Sequence, residues 1–124
     1  MPMQEEPNIC YRKRLIVQKG AEFISLKTED AVLFYTQNRL VFVIDRNEKK
    51  YIINKKMNEL ETELNPDSFF RANRQCIIQV DFIKSFRTYE RVKLIIEISL
   101  TQMPFPIIIS QENAAAFRRW ICTV

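Results

Sequence analysis

A single glycine, Gly20, serves all 124 residues of this chain. Glycine is the residue that lets a backbone enter the left-handed region without steric cost. A chain with one glycine must turn on Asn, Asp, Lys and Gln instead, chiefly on short polar side chains that bond their own backbone. The same scarcity excludes a P-loop, a Rossmann turn and a nucleophile elbow, each of which needs glycines at fixed spacing. Histidine is absent altogether. The common zinc centres, Ser-His-Asp triads and Cys-His dyads go with it. No enzyme activity, cofactor or metal is expected.

Between the polar turns the side chains alternate with the period of a strand. Tyr11 to Gln18 reads as a strand, Lys19-Gly20 as its turn and Phe23 to Lys27 as the return strand. After a polar break at Thr28-Glu29-Asp30 comes a third strand, Ala31 to Thr36. Gln37-Asn38 reads as a tight turn into Arg39 to Asp45, and Arg46-Asn47-Glu48-Lys49 as a charged turn into Lys50 to Ile53. Val92, Leu94, Ile96 and Ile98 alternate with Arg91, Lys93 and Glu97, the pattern of a half-buried strand. Met103 to Ile109 is strand-like, and Pro104 and Pro106 place it at a sheet edge because neither can donate to a ladder.

Two segments carry helical spacing. Met57, Leu60 and Leu64 fall on one face of Lys56 to Leu64, which Asn65-Pro66 stops. From Ser110, an N-cap residue type, to about Cys122, a second helix gathers Ala114, Phe117, Trp120 and Ile121 on one side. The chain is thus mainly β, with a short helix after the fifth strand and a C-terminal helix. Its length suits one domain, spanning 11–124, behind a flexible segment or linker remnant at 1–10.

Charge and cysteine usage narrow the setting. Six basic residues (Arg71, Arg74, Lys84, Arg87, Arg91, Lys93) against two acidic (Asp81, Glu90) give the stretch 71–93 an excess equal to the net charge of +4. Uneven scatter and an anionic partner are equally compatible with this. Cys10, Cys76 and Cys122 are odd in number and widely spaced, as in a reducing compartment. No apolar h-region follows Met1, and the longest uncharged run, Ile98 to Gln111, is too short to cross a bilayer. A cytoplasmic location is expected.

Within that basic stretch, Phe69-Phe70-Arg71-Ala72-Asn73-Arg74-Gln75-Cys76-Ile77-Ile78-Gln79-Val80 sets a polar group between two apolar pairs. Phe69-Phe70 and Ile77-Ile78 would anchor the ends in the core and hold the middle as a rigidly supported loop. Arg, Asn and Gln are the residue types that bond phosphates and base edges. A solvated loop and a nucleic-acid contact stand level on these residues alone. Phe34, Tyr35 and Phe42, at strand spacing beside aliphatics, read as core rather than as stacking platforms.

An ordered set of motifs from Tyr11 to Trp120 resembles the LytTR family of bacterial DNA-binding domains. Asp30-Ala31-Val32-Leu33-Phe34-Tyr35 is similar to its early aromatic-rich strand, and Asn38-Arg39-Leu40-Val41-Phe42 to its turn and following strand. Met57-Asn58-Glu59-Leu60-Glu61-Thr62-Glu63-Leu64 resembles its short helix, Phe69 to Ile83 its most specific run, and Ile109-Ser110-Gln111 its closing step. The resemblance implies an elongated stack of small antiparallel sheets that reads double-stranded DNA through loops, as a transcription regulator or the output domain of a response regulator. By the family's motifs, the contact positions are Asn38 and Arg39, then Arg74 and Gln75 after a supporting or phosphate-binding Arg71, then Ser110, Gln111 and Asn113.

Physical reasoning adds that Lys84, Arg87, Arg91 and Lys93 would attract phosphates irrespective of sequence, while Arg74 and the amides would discriminate bases. A small module would need a second copy on repeated half-sites about one helical turn apart. The family's domains commonly follow a receiver or sensory region, which is expected outside these residues. Two positions depart from the family pattern. Gln111 stands where a basic residue is usual, so that contact is either lost or redirected, since Gln pairs with adenine where Arg prefers guanine. Gln79 stands in place of an Asn and reads as a structural amide. The rival reading is a β-rich protein-interaction or RNA-binding module, which would lack a preference for duplex DNA.

Overall fold

A computed structural model describes residues 10–124; the expected N-terminal segment, apart from Cys10, lies outside the described residues. In chain order the elements are β1 (Arg14–Lys19), β2 (Glu22–Lys27), β3 (Ala31–Gln37), β4 (Leu40–Asp45), β5 (Lys50–Ile53), α1 (Met57–Glu63), β6 (Phe69–Arg71), β7 (Cys76–Gln79), β8 (Ile83–Tyr89), β9 (Lys93–Ile98), β10 (Ile107–Ile109) and α2 (Gln111–Thr123). Seven strands form one sheet in the order β2-β1-β5-β4-β3-β7-β6, and three form another in the order β10-β9-β8. Every pairing is antiparallel. The outer hairpin β1–β2 joins the larger sheet through a single pairing, Gln18 with Ile52.

Two apolar layers hold these elements. On one face of the large sheet, Leu15, Val17, Phe34, Val43 and Ile77 pack with Met57, Leu60 and Leu64 of the α1 segment. On the other, Leu33, Tyr35 and Ile78 meet Leu94, Ile96 and Ile109 of the small sheet and Phe117 of α2. β3 serves both layers, so Ala31 to Tyr35 are all buried and the strand reads as a continuous apolar run. Phe117 is fully buried, with Phe70 and Phe86 edge-on at 5.4 and 5.1 Å. Truncating it to alanine would cost about 3–5 kcal/mol.

The structure moves several of the expected boundaries. The first turn is Gly20-Ala21, closed by Lys19 opposite Glu22, with Gly20 at φ 62°. The second is Asn38-Arg39 rather than Gln37-Asn38, because Gln37 still pairs with Leu40. Pro104 and Pro106 lie outside β10, which is only three residues long and does sit at an edge. Val92 belongs to the β8–β9 turn and is exposed, whereas Leu94, Ile96 and Ile98 are buried as the alternation requires. Ser110 occupies the N-cap of α2, but its hydroxyl makes no capping bond.

Candidate nucleic-acid interface

The β3–β4 turn presents its two central residues in the left-handed region, Asn38 at φ 53° and Arg39 at φ 67°. Both dihedrals positive in a two-residue loop is the type I′ geometry that follows the twist of a hairpin. Asn tolerates it, whereas Arg is an unfavourable choice there. Both side chains are exposed, and the Arg39 guanidinium has no hydrogen-bond or carboxylate partner among the described residues. Thr36, one residue before Gln37, steadies the turn by donating its hydroxyl to the Leu40 carbonyl at 3.0 Å.

The loop between β6 and β7 is built around two side chains. Arg71 donates Nε to the Asn73 carbonyl at 2.7 Å and a terminal nitrogen to the Arg74 carbonyl at 2.8 Å. Its other terminal nitrogen reaches Glu61 at 2.9 Å and Asn58 at 3.3 Å on α1. Four hydrogen bonds and a mostly covered side chain make Arg71 a brace for the loop. Asn73 works from inside: its Oδ1 accepts the Gln75 and Cys76 amides at 2.8 and 3.1 Å, closing the bend. Ala72 is buried, and its amide donates to the Cys76 carbonyl at 3.0 Å. The side chain left outside is Arg74, exposed and without a partner among the described residues.

The third segment is Ser110-Gln111-Glu112-Asn113, where β10 hands over to α2. Ile107 and Ile109 are fully buried, and the Asn113 amide donates to the Ser110 carbonyl at 3.1 Å, so the backbone is fixed. Gln111 and Asn113 are exposed with unengaged side chains among the described residues. Two side-chain bonds tie the segments together. Asn73 Nδ2 donates to the Ile108 carbonyl at 2.8 Å, and Gln75 Nε2 donates to the Thr36 carbonyl at 3.2 Å. Segments remote in sequence are thus tied to one another, and they carry the exposed side chains of Arg39, Arg74 and Gln111.

Comparisons with known proteins identify the family and the fold. The family model of the LytTr DNA-binding domain matches residues 21–122. The chain belongs to the LytTR family. Its fold is similar to the LytTr DNA-binding domain of a putative methyl-accepting/DNA response regulator from Bacillus cereus, with a TM-score of 0.79 at 18% identity, covering 89% of this chain and 97% of that one. No curated protein sequence matches it.

Among the expected contacts of this LytTR domain, the structure joins Asn38, Arg39, Arg71, Arg74, Gln75 and the Ser110 segment, and it sets Lys84 apart. Lys84 occupies a bulge at the start of β8, between the pairs Ile83–Ile98 and Ser85–Glu97. Ile109, next to Ser110, pairs instead with Leu94, which faces Thr88. Four residues of strand, about 13 Å, separate Lys84 from that row. Two of the six basic residues in the stretch 71–93 are paired. Arg71 pairs with Glu61 at 2.9 Å and Lys93 with Glu90 at 3.0 Å, which leaves Arg74, Lys84, Arg87 and Arg91 without a carboxylate partner among the described residues.

Two more residues of the LytTR motif have clear structural parts. Gln79 is buried and donates its amide to the carbonyls of Thr28, Glu29 and Ala31, satisfying the 3-10 turn Thr28–Asp30. Burial pushes the Cys76 thiol up to about 12, against the weaker opposing pull of Arg71 and Asn73, so it is no thiolate nucleophile near neutral pH. Phe34 and Tyr35 are buried and Tyr35 stacks on Phe42, as expected of core. Sequence reasoning names Asn73 only among the polar residues able to bond DNA, not as the group that closes the loop, and passes over Thr36. An Asn two residues before a backbone amide was the available signal for the first, and nothing local marked the second. Among the described residues, no cluster of His, Cys, Asp or Glu could hold a metal, and no helix is long and apolar enough to cross a membrane.

Proposed function

We propose that this LytTR domain reads duplex DNA by sequence in the cytoplasm of a bacterium, as the DNA-binding output of a transcription regulator. Asn38 and Arg39 form one contact, Arg74 a second, and Ser110, Gln111 and Asn113 a third, with Arg71 and Gln75 supporting them. The observation that carries this reading is the joining of the three segments by direct hydrogen bonds while Arg39, Arg74 and Gln111 stay exposed and unpaired among the described residues. Arg74 is the principal base reader, since a guanidinium can take guanine O6 and N7 together, worth about 1–3 kcal/mol of discrimination. Lys84, Arg87 and Arg91 add attraction that falls with salt. The surface of one copy is small, so two copies on repeated half-sites supply working specificity. A receiver or sensory domain supplies the signal, in keeping with the response regulator of similar fold.

Fluorescence anisotropy at fixed salt, comparing a duplex selected by the protein with a scrambled duplex, single-stranded DNA and RNA, tests the reading. The wild type should prefer the selected duplex over all three. Arg74→Ala should prefer the selected over the scrambled duplex less strongly, by roughly 5- to 150-fold for a loss of about 1–3 kcal/mol, with the salt dependence largely kept. A mutant that distinguishes them as well as the wild type does would rule out Arg74 as a base reader, and equal affinity of the wild type for RNA would favour the RNA-binding alternative.

A further inference from the structure

The side chains of Asn73 and Gln75 are engaged inside the protein, although both are residue types that read adenine. Asn73 uses its oxygen for the Gln75 and Cys76 amides and its nitrogen for the Ile108 carbonyl, 35 residues away in sequence. Ile108 lies between two fully buried neighbours on β10, so its carbonyl is a fixed post two residues before Ser110. Gln75 brackets Thr36: its backbone carbonyl accepts the Thr36 amide at 2.9 Å while its side chain donates to the Thr36 carbonyl at 3.2 Å. Thr36 in turn donates to Leu40 across the Asn38-Arg39 turn. A line of hydrogen bonds therefore runs from Leu40 through Thr36, Gln75 and Asn73 to Ile108, passing all three contact segments.

We infer that Asn73 and Gln75 are positioning residues that fix the spacing of the three readers, so that bases read by neighbouring segments are discriminated together. The inference rests on the DNA-reading role proposed above. Its physical basis is preorganisation: a reader already held at its bonding distance loses little freedom on binding, whereas an untethered one must be ordered for each contact. Asn is suited to position 73 because its amide carries an acceptor for the bend and a donor for the tether on two separate atoms. Asp keeps only the acceptor, and Ser keeps a shorter one without the reach to Ile108.

The test uses base preferences at each position, obtained by selecting bound duplexes from a random pool. Arg39→Ala, Arg74→Ala and Gln111→Ala first assign base pairs to the three segments. Asn73→Ser and Asn73→Asp, with melting temperatures recorded, then cut the tether to β10, and Gln75→Met independently cuts the tie to Thr36. Asn73→Ser should weaken discrimination about fivefold, the worth of one ordinary hydrogen bond, at the pairs assigned to both Arg74 and Gln111. Affinity for random duplex and its salt slope should not change. Gln75→Met should do the same at the pairs assigned to Arg39 and Arg74. A merely structural defect would lower specific and non-specific binding equally. A loss confined to one base pair would make Asn73 a reader, and an unchanged profile would remove its positioning role; either result overturns the inference. A wild type that enriches no duplex at all would instead remove the DNA reading on which it rests.

Discussion

Replacing Arg39 with glycine is expected to stabilise the protein while weakening its hold on DNA. Arg39 sits at φ 67°, beside Asn38 at φ 53°. A residue bearing Cβ loses roughly 1–2 kcal/mol in the left-handed region. Glycine escapes that strain but gives back about 0.5–1 kcal/mol through its freedom in the unfolded chain. Because the Arg39 side chain has no partner among the described residues, nothing else in the fold is lost. The net gain is then about 0.5–1 kcal/mol, which for a domain of this size raises the melting temperature by about 2–5 °C. On DNA the sign reverses. Losing one bidentate or phosphate contact costs about 1–3 kcal/mol, a fall of roughly 5- to 150-fold, and flattens the salt slope by about 0.9 if the contact is ionic. Thermal melting followed by circular dichroism and anisotropy titrations at several salt concentrations measure both halves. A lower melting temperature would refute the strain argument, and unchanged DNA affinity would remove Arg39 from the interface.

The other expectations concern residues that support the readers. Arg71→Ala should lower stability by about 2–3 kcal/mol in urea unfolding, because it strips two loop carbonyls and Glu61 of a charged donor; Arg71→Lys should recover little, since one ammonium cannot span these acceptors. Gln79→Ala should cost about 1–3 kcal/mol by taking the Gln79 donor from the buried Ala31 carbonyl, while the Thr28 and Glu29 carbonyls keep the Ala31 amide and Arg46, with the base preferences of the folded protein unaltered. Cys76, whose folded pKa is raised to about 12 from an unfolded value of about 8.5, holds its proton longer in the folded state. Its contribution is complete below about pH 8.5 and is lost as pH rises toward 12, by up to about 1.4 kcal/mol per pH unit. Stability measured across that range should fall less steeply in Cys76→Ala than in the wild type. A thiol reagent at neutral pH should label Cys10 and Cys122, both exposed, and reach Cys76 only on unfolding.

Elements whose side chains alternate or repeat were legible in the chain itself. α1 could be read from Met57, Leu60 and Leu64, and β9 from Leu94, Ile96 and Ile98, because each buries one face. β8 gives no such signal: Ile83 and Phe86 are half-buried, the other five residues are exposed or nearly so, and a bulge at Lys84 breaks the period. A local rule prefers Gln37-Asn38 for the turn that the structure makes at Asn38-Arg39, because Arg is a poor left-handed residue. At the candidate site, the exposed readers could be named from the LytTR motifs. Their mutual arrangement could not, since the bonds from Asn73 to Ile108 and from Gln75 to Thr36 join residues 35 and 39 apart. Lys84 lies apart from the cluster for a similar reason: between Arg74 and Lys84 the chain leaves the large sheet at β7 and enters the small sheet at β8 through the 3-10 turn Val80–Phe82.

Sequence-specific reading of duplex DNA is most directly tested by selecting bound duplexes from a random pool with the wild type and with Arg74→Ala in parallel. The wild type should enrich a defined motif, and the mutant, folded and still binding in a salt-sensitive way, should lose the preference at the base pairs that Arg74 reads. A wild type that enriches nothing, or a mutant that enriches the same motif as strongly, would contradict the proposed function.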